Sequence, residues 1–183
     1  TQILAGLTAG WYTVFVSDLN SCIQSDSIEV MDASEIVLNP SFTDVICNGE
    51  LNGSASVSPS GGTVVIDYTY EWEDVLDPGV IISTTNSISA VPAGDYLVTV
   101  FDDNMCSQTT TISIGEPAPI TLIFSISEPL CNGDGNGQIQ VQAIGGTVLA
   151  DYTYEWQNAL GTIIGTNALI TGLSAGNYLV IVT

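Results

Sequence analysis

One short segment of the sequence has the spacing of a calcium-binding loop. Asn132, Asp134 and Asn136 place side-chain oxygens at alternate positions, and Gly137 follows them where such a loop turns. The twelfth position, which holds a bidentate Glu in a complete EF-hand, is Ala143. The segment is a candidate calcium site, and the alternative is a plain Asn-Gly turn.

Acidic residues suggest two further kinds of chemistry. Asp102, Asp103 and Glu116 are a second candidate group for cation binding. Paired carboxylates could serve a glycosidase, but Glu71 and Glu155 recur at equivalent positions beside tryptophans. This recurrence favours a structural role for both glutamates.

The residue types that are missing exclude several classes of function. The 183-residue chain has no Lys, Arg or His and 20 Asp and Glu residues, which gives a formal charge of -20. No Ser-His-Asp relay, Schiff-base lysine, P-loop lysine or arginine clamp can form, so we expect no enzyme. An anionic chain also repels nucleic acid and anionic membranes. Because 45% of the residues are hydrophobic, a core can still form.

The chain repeats itself with a period of about 84 residues. The motif Cys-Asn-Gly-x-x-Asn-Gly occupies residues 47–53 and 131–137. The motif Asp-Tyr-Thr-Tyr-Glu-Trp occupies residues 67–72 and 151–156. Three copies of Ala-Gly-x-Tyr begin at Ala9, Ala93 and Ala175.

These copies predict three domains. Residues 1–35 would be the C-terminal part of one repeat, 36–118 a complete repeat, and 119–183 a repeat that lacks its last strand. The joints near 32–34 and 116–119 are short, and the second contains two prolines. We therefore expect neighbouring repeats to form an extended rod.

Each repeat has the periodicity of β-strands. Tyr96, Val98 and Val100 alternate with their neighbours as in a strand with one face on a core. Seven short strands in the complete repeat predict an all-β fold of tandem immunoglobulin-like (PKD-like) β-sandwiches. The predicted strands are 36–38, 54–58, 67–73, 80–84, 87–91, 95–102 and 109–114.

The recurring aromatic residues have core positions in such a fold. Trp72 and Trp156 fall in the middle of a strand, where an immunoglobulin-like sandwich buries a tryptophan. The Tyr of Ala-Gly-x-Tyr has the position of a tyrosine corner. Core packing is our interpretation, and a sugar-binding platform is the alternative. Trp11 replaces Asp95 and Asn177, which predicts an exposed position near an edge.

The ordered set of motifs resembles the SprB-type repeat of Bacteroidota cell-surface proteins, which is named for a gliding-motility adhesin. The resemblance rests on the Cys-Asn-Gly-x-x-Asn-Gly start, on Gly-Gly-Thr before Tyr-Thr-Tyr-Glu-Trp, and on Leu-x-Ala-Gly-x-Tyr-x-Val-x-Val-x-Asp before a second Cys. It implies export by the type IX system and display at the outer surface in long filaments or adhesins. Asp67 and Asp151 depart from the family, which usually has proline there.

Two cysteines recur at fixed positions in the repeats, and export would place them where disulfides form. The disulfide candidates are Cys22, Cys47, Cys106 and Cys131. Three arrangements are open: pairing within a repeat, pairing across a joint, and head-to-tail pairing. In the last arrangement the first Cys of one repeat meets the second Cys of the next and staples the joint.

We expect this chain to be a segment of a long extracellular repeat filament or adhesin at the bacterial cell surface. Its role would be that of a mechanical stalk in gliding motility or attachment. The alternatives are a glycan- or protein-binding module, in which loop residues such as Trp11 grip the ligand, and a spacer in a large secreted enzyme. The expected partners are neighbouring repeats, surface glycans or other filament subunits, without nucleic acid or membrane insertion. We expect no catalytic residue and no cofactor other than calcium.

Overall fold

The computed structural model describes residues 3–147 and 151–183, and every regular element in that part of the chain is a β-strand. The first two strands, β1 (Gly10–Ser17) and β2 (Ile23–Val30), form an antiparallel hairpin. Within the described residues there is no helix long and apolar enough to cross a membrane. The predicted all-β class is confirmed.

The middle repeat folds as a sandwich of two sheets. Its strands are β3 (Pro40–Thr43), β4 (Gly53–Val57), β5 (Thr69–Asp74), β6 (Ile81–Ser83), β7 (Ser87–Val91), β8 (Gly94–Phe101) and β9 (Ser107–Ile114). One sheet has the order β3-β4-β7, and the other has the order β6-β5-β8-β9. The chain crosses between sheets after β4, β6 and β7, as in an immunoglobulin-like sandwich.

The third repeat has the same strand order. Its strands are β10 (Thr121–Ser127), β11 (Gly137–Ile144), β12 (Tyr154–Asn158), β13 (Ile163–Gly165), β14 (Leu169–Leu173) and β15 (Tyr178–Val182). They form the sheets β10-β11-β14 and β13-β12-β15, so β10 corresponds to β3 and β15 to β8.

The first strand of the middle repeat lies later than the sequence pattern predicts. We expected it at 36–38, but there Val37 makes only an isolated bridge with Ser60. Asn39 has a φ of 48°, in the left-handed region, and Pro40 has no N–H to donate. The strand is broken at this point, and the continuous ladder with β4 begins at Pro40.

Strand alternation places one face of each central strand in the core. On β8, Tyr96, Val98 and Val100 are 2%, 0% and 0% exposed. Trp72 on β5 and Trp156 on β12 are 0% and 1% exposed. The core interpretation of these tryptophans is confirmed.

The hairpin of β1 and β2 has the same sequence pattern but a different environment. Val14 and Val16, which correspond to Val98 and Val100, are 58% and 62% exposed. In the described residues β1 pairs only with β2, so no second sheet covers the strand face that β8 buries.

The described residues divide into two compact units. The first comprises Thr1–Ser41, Ser56–Ile88 and Tyr96–Ile112. The second comprises Phe42–Ala55, Ser89–Asp95 and Ser113–Thr183. These units differ from the three repeats, and the repeat boundaries at 35 and 118 stay a prediction.

Candidate functional site at the linker

The Cys-Asn-Gly motif forms a tight turn in both repeats. The Cys47 carbonyl accepts a hydrogen bond from the Glu50 N–H at 3.1 Å. Gly49, at the third position of this turn, has a φ of 78°, and its counterpart Gly133 has a φ of 88°. A residue with a side chain rarely adopts such a φ, which explains the repeated glycine.

The candidate calcium ligands Asn132, Asp134 and Asn136 all lie in this loop of the third repeat. Asn136 Oδ1 accepts a hydrogen bond from the Leu130 N–H at 3.1 Å, and Asn136 Nδ2 donates to Asp134 Oδ2 at 3.4 Å. Residues 3–147 and 151–183 contain no group of three His, Cys, Asp or Glu side chains that could hold a metal ion. The calcium site stays a prediction, and the observed bonds are those of an Asn-Gly turn.

The corresponding loop of the middle repeat uses the same bonds. Asn52 Oδ1 accepts from the Ile46 N–H at 2.9 Å, and Asn52 Nδ2 donates to Glu50 Oε2 at 2.6 Å. The second Asn of the motif thus holds its loop closed in both repeats.

The second acidic group is not brought together. Asp102 and Asp103 directly precede the turn before β9, whereas Glu116 follows β9. The eight residues of β9 span roughly 26 Å. The expected cation site from these three residues is therefore wrong.

Hydrogen bonds tie the linker, residues 115–119, to the loop between β3 and β4. The Gly49 N–H donates to Glu116 Oε2 at 2.7 Å. The Asn48 side-chain amide donates to the Pro117 carbonyl at 3.2 Å. We call this pair of bonds the linker clamp. Through these two bonds the exposed Asn-Gly pair of the turn holds the chain where it leaves the sandwich.

The residue before the clamp is also held. The Gly115 N–H donates to Asp44 Oδ1 at 2.7 Å, and the Gly115 carbonyl accepts from the Val45 N–H at 2.9 Å. A carboxylate that accepts from a backbone N–H forms a stronger bond than a neutral acceptor does. The path from β9 into the linker is therefore fixed on both sides of Gly115.

On its far side the linker meets the Gly-Gly turn of the third repeat. The Ala118 carbonyl accepts from the Gly146 N–H at 2.7 Å. A Cβ atom on Gly145, whose φ is 91°, would overlap the Pro119 carbonyl oxygen. Only glycine allows the linker backbone to approach this closely.

The Gly-Gly turn of the middle repeat makes the same contacts. The Gly62 N–H donates to the Ser34 carbonyl at 2.8 Å. A Cβ atom on Gly61, whose φ is 83°, would overlap the Glu35 carbonyl oxygen. We attribute the recurrence of the Gly-Gly-Thr motif to this contact. In each repeat its glycines let the residues before the first strand pack closely against the turn.

Asp102 organises the turn between β8 and β9. Its side chain is buried, and Oδ1 accepts from the N–H groups of Asn104 and Cys106 at 2.9 Å each. Oδ2 accepts from the Thr63 N–H at 2.8 Å. These backbone bonds, with that of Thr63 foremost, hold the pKa of Asp102 below its usual value although burial acts in the opposite direction.

The same turn occurs between β1 and β2. Asp18 Oδ1 accepts from the N–H groups of Asn20 and Cys22 at 2.8 and 2.9 Å. Ser21 and Met105, which precede the cysteines, have left-handed φ values of 65° and 64°. The Asp before the second Cys is thus a turn-forming residue in both copies.

All four cysteines are free and exposed. Cys47 begins the Cys-Asn-Gly turn, and Cys106 directly precedes β9. Pairing within a repeat, pairing across a joint and head-to-tail pairing all stay predictions.

Trp11 is exposed, as its sequence position predicts, but it lies in a strand and not in a loop. It is 68% exposed on β1, and Phe15, on the same face of that strand, is 71% exposed. Their counterparts Asp95 and Thr99 lie on the face of β8 that points away from the core. Trp11 and Phe15 therefore form an aromatic pair on an outer sheet face.

The tyrosine corner predicted from Ala-Gly-x-Tyr is present in the first and third repeats. The Tyr12 hydroxyl donates to the Thr8 carbonyl at 2.7 Å, and the Tyr178 hydroxyl donates to the Ser174 carbonyl at 2.8 Å. On β8, burial raises the pKa of Tyr96, and Asp74 adds to this effect.

Sequence reasoning missed the role of another recurring tyrosine. The Tyr68 hydroxyl donates to the Gly61 carbonyl at 2.6 Å, and the Tyr152 hydroxyl donates to the Gly145 carbonyl at 2.5 Å. Each bond supports the Gly-Gly turn that receives the chain. The spacing between this glycine and this tyrosine is identical in the two repeats, and that identity is the sequence signal that could have revealed the role of the tyrosine.

Two segments of the chain match the sequence model of the SprB repeat, at residues 39–76 and 123–161. The matched segments begin 84 positions apart. The first includes the Cys-Asn-Gly turn and the Gly-Gly turn of the middle repeat. Among curated proteins, no sequence matches the chain.

Two solved structures are similar in part. One contains three N-terminal domains of the highly immunogenic outer capsid protein (Hoc) of bacteriophage RB49, with 19% identity and a TM-score of 0.44 over 83% of this chain and 54% of that chain. The other is a structure titled as the structural basis for Dscam isoform specificity. It has 12% sequence identity and a TM-score of 0.33, and the match covers 90% of this chain and 48% of that chain. The chain spans about half the length of these matched chains.

Proposed function

Because the chain carries two SprB repeats, we propose that it is a mechanical spacer of a filament or adhesin displayed outside the cell. Each sandwich is a folded link, and each linker passes tension to the next link. The linker clamp is the observation that supports this role. From Gly115 to Ala118, every residue of the linker bonds to a loop of the repeat that it leaves or to the turn of the repeat that it meets.

The strand arrangement suits such a load. Tension enters the middle repeat through β3 and leaves it through β9. The ladder bonds of an antiparallel pair run across the strands, so a pull along β3 strains its bonds to β4 together and not one after another. We expect the sandwich to yield in one step at a force above that of thermal fluctuations.

Stretching single molecules by marker domains fused to both ends tests this proposal. Fused markers are needed because the four exposed cysteines would react with thiol handles. Unfolding of the middle repeat should appear as one event that lengthens the chain by on the order of 250 Å. A smooth extension without a discrete event, at forces that leave the markers folded, would contradict the mechanical role.

The family resemblance extends the proposal to location and partners. SprB-type repeats suggest export by the type IX system of a Bacteroidota cell and a part in gliding or attachment. The partners would be adjacent repeats and other filament subunits, without nucleic acid, and no catalysis would occur in this segment. An antibody against residues 36–118 should label intact cells, and a signal restricted to permeabilised cells would refute surface display.

The aromatic pair Trp11 and Phe15 favours a second candidate function, glycan binding. Four residues of strand separate the two side chains by about 13 Å, and exposed aromatic faces of this kind suit the apolar faces of sugar rings. If this function holds, the Trp11→Ala/Phe15→Ala double variant should lose a glycan-array signal that the unaltered chain gives.

The matched control for this variant is Leu19→Ala, since Leu19 is fully exposed but has no aromatic ring. Neither variant should change the thermal midpoint appreciably, because surface substitutions of this kind usually have small effects on stability. If the unaltered chain binds no glycan, the second function is eliminated.

A further inference from the structure

The edge strands of the middle repeat differ in how well they are protected against pairing with another chain. An edge strand presents unpaired N–H and C=O groups, and proteins blunt such edges by shortness, proline, charge or kinks. In one sheet the edges are β3, which has four residues and begins with Pro40, and β7, in which Ala90 has a left-handed φ of 56°. In the other sheet the edge β6 has only three residues. The remaining edge strand is β9.

The strand β9 has none of these protective features. Its eight residues include no charged residue and no proline, and none of them has a left-handed φ. Alternate residues of an edge strand direct their N–H and C=O groups away from the sheet. In the described part of the chain no further strand pairs with β9 on the side away from β8, so these groups stay open to a partner.

A groove lies beside this open edge. It has a volume of about 390 Å³, and residues 35–40 line it on one side and Gln108, Thr109 and Thr110 of β9 on the other. All of these residues belong to the middle repeat, whose strands β3 to β9 are all present in the chain. The groove therefore separates the free edge of one sheet from the segment that leads into the first strand of the other.

The wall opposite β9 also carries unpaired backbone groups. The N–H and C=O of Val37 both bond to Ser60, at 2.8 and 2.9 Å. Successive residues of an extended chain direct their backbone groups to opposite sides, so both groups of Ile36 and the N–H of Leu38 face away from Ser60. Among the described residues these three groups find no hydrogen-bond partner, although Ile36 and Leu38 are only 5% and 6% exposed. Unpaired backbone groups at buried residues are uncommon, and an added strand would satisfy them.

Hydrogen bonds to the neighbouring strand hold this wall in place. The Asn39 side-chain amide donates to the Ser58 carbonyl at 3.0 Å, and the Ser58 N–H donates to the Leu38 carbonyl at 2.9 Å. Asn39 has a left-handed φ, whereas Ile123, at the corresponding position of the third repeat, lies inside the continuous strand β10. The break that separates residues 36–38 from β3 is thus specific to the middle repeat, and the groove is formed before any partner binds.

We propose that this groove binds an extended segment of another protein by strand addition. Packed sheets lie about 10 Å apart and paired strands about 4.8 Å apart, so one strand inserted between the two walls can bond to both. The inserted strand pairs with the edge of β9 on one side and with Ile36 and Leu38 on the other. This proposal does not depend on the mechanical role.

Charge determines which kind of segment fits. Of the described residues that line the groove, Glu35 alone is charged, and it is exposed. A Lys or Arg of the inserted segment would pair with this carboxylate. A second copy of this chain cannot supply one, because the sequence has no Lys or Arg, and two chains with a formal charge of -20 repel each other. The occupant is therefore a basic segment of a different protein, with the β-branched residues that favour strands.

Binding of labelled synthetic peptides to the whole chain, followed by fluorescence anisotropy, tests the proposal. The probes are Lys-Val-Thr-Val-Thr-Val-Thr and its reverse sequence, since an added strand can run in either direction. Both control peptides have Glu in place of Lys and should bind about tenfold more weakly. With a lysine peptide bound, amide exchange should slow at Ile36, at Leu38 and within residues 107–112. No binding of either lysine peptide at about 1 mM, or slower exchange only at other residues, would overturn the proposal.

Substitutions in the two walls locate the bound peptide. Thr110→Lys places a positive charge in the groove and should weaken binding at least about tenfold, since charges on edge strands block strand pairing. The matched control is Thr84→Lys, which alters an exposed Thr between β6 and β7 and should leave binding unchanged. Glu35→Gln should weaken binding of the lysine peptides about threefold, as for loss of an exposed ion pair. Equal affinities of Thr110→Lys and Thr84→Lys would place the peptide elsewhere and overturn the proposal.

Two further measurements keep the test decisive. If Thr110→Lys unfolds, as judged by circular dichroism, the amide exchange of the unaltered chain and the Glu35→Gln affinity decide. Sedimentation equilibrium without peptide, in reducing buffer because the cysteines are free, tests the other occupant. The unaltered chain should be a monomer. A dimer that Thr110→Lys abolishes and Thr84→Lys does not would assign the groove to a second copy and overturn the proposal of a basic partner.

Discussion

Replacement of Trp72 by Ala should lower the free energy of unfolding by about 3–5 kcal/mol. The Trp72 side chain is 0% exposed, and its Nε1 donates to the Thr85 carbonyl at 2.8 Å. The substitution leaves a cavity in the middle repeat and a partly buried carbonyl without its donor. Chemical denaturation followed by circular dichroism measures the change.

The chain provides a matched control for Trp72→Ala. Trp11 is 68% exposed, so Trp11→Ala removes the same side chain without opening a cavity. Its effect should stay within about 0.5 kcal/mol. Similar losses for the two variants would show that the core is not organised around the tryptophan of β5.

A second large effect is expected from Gly61→Ala, which should cost about 2–5 kcal/mol. Gly61 has a φ of 83°, and a Cβ atom there would overlap the Glu35 carbonyl oxygen. The new methyl group therefore strains the backbone and also pushes the incoming chain away from the turn. Thermal and denaturant unfolding of the variant measure the loss.

Gly79→Ala separates these two contributions. Gly79 has a similar φ of 87°, but nothing lies within 4 Å of the position of its Cβ atom. Its substitution should cost only the backbone strain, about 1–2 kcal/mol. If Gly61→Ala costs no more than Gly79→Ala, the close approach of the chain to the Gly-Gly turn does not contribute to stability.

The two glycine turns lie where the chain enters and leaves the middle repeat. The Gly-Gly turn receives the chain before the first strand, and the Cys-Asn-Gly turn holds the chain after the last strand. Both turns of the middle repeat lie within the matched SprB segment 39–76, whereas Glu116, the acceptor of the clamp, lies outside it. In the linker clamp the motif thus supplies the donors, and the linker supplies the acceptors.

The sequence alone determined the features that depend on local order. Alternation of apolar residues with period two identified the strands of the sandwich, because successive side chains of a strand point to opposite faces. The buried Trp72 and the tyrosine corner followed from their places in those strands. The first strand was misplaced because a left-handed Asn39 interrupts the ladder, and alternation does not reveal such a break.

Only the tertiary structure decided which groups meet. Gly49 and Glu116 are 67 residues apart in the chain, and they are joined because two loops converge at one end of the sandwich. Hydrogen bonds and burial depend on neighbours in space. Repetition in a sequence shows that a residue recurs, and the packed sheets and loops determine what it contacts.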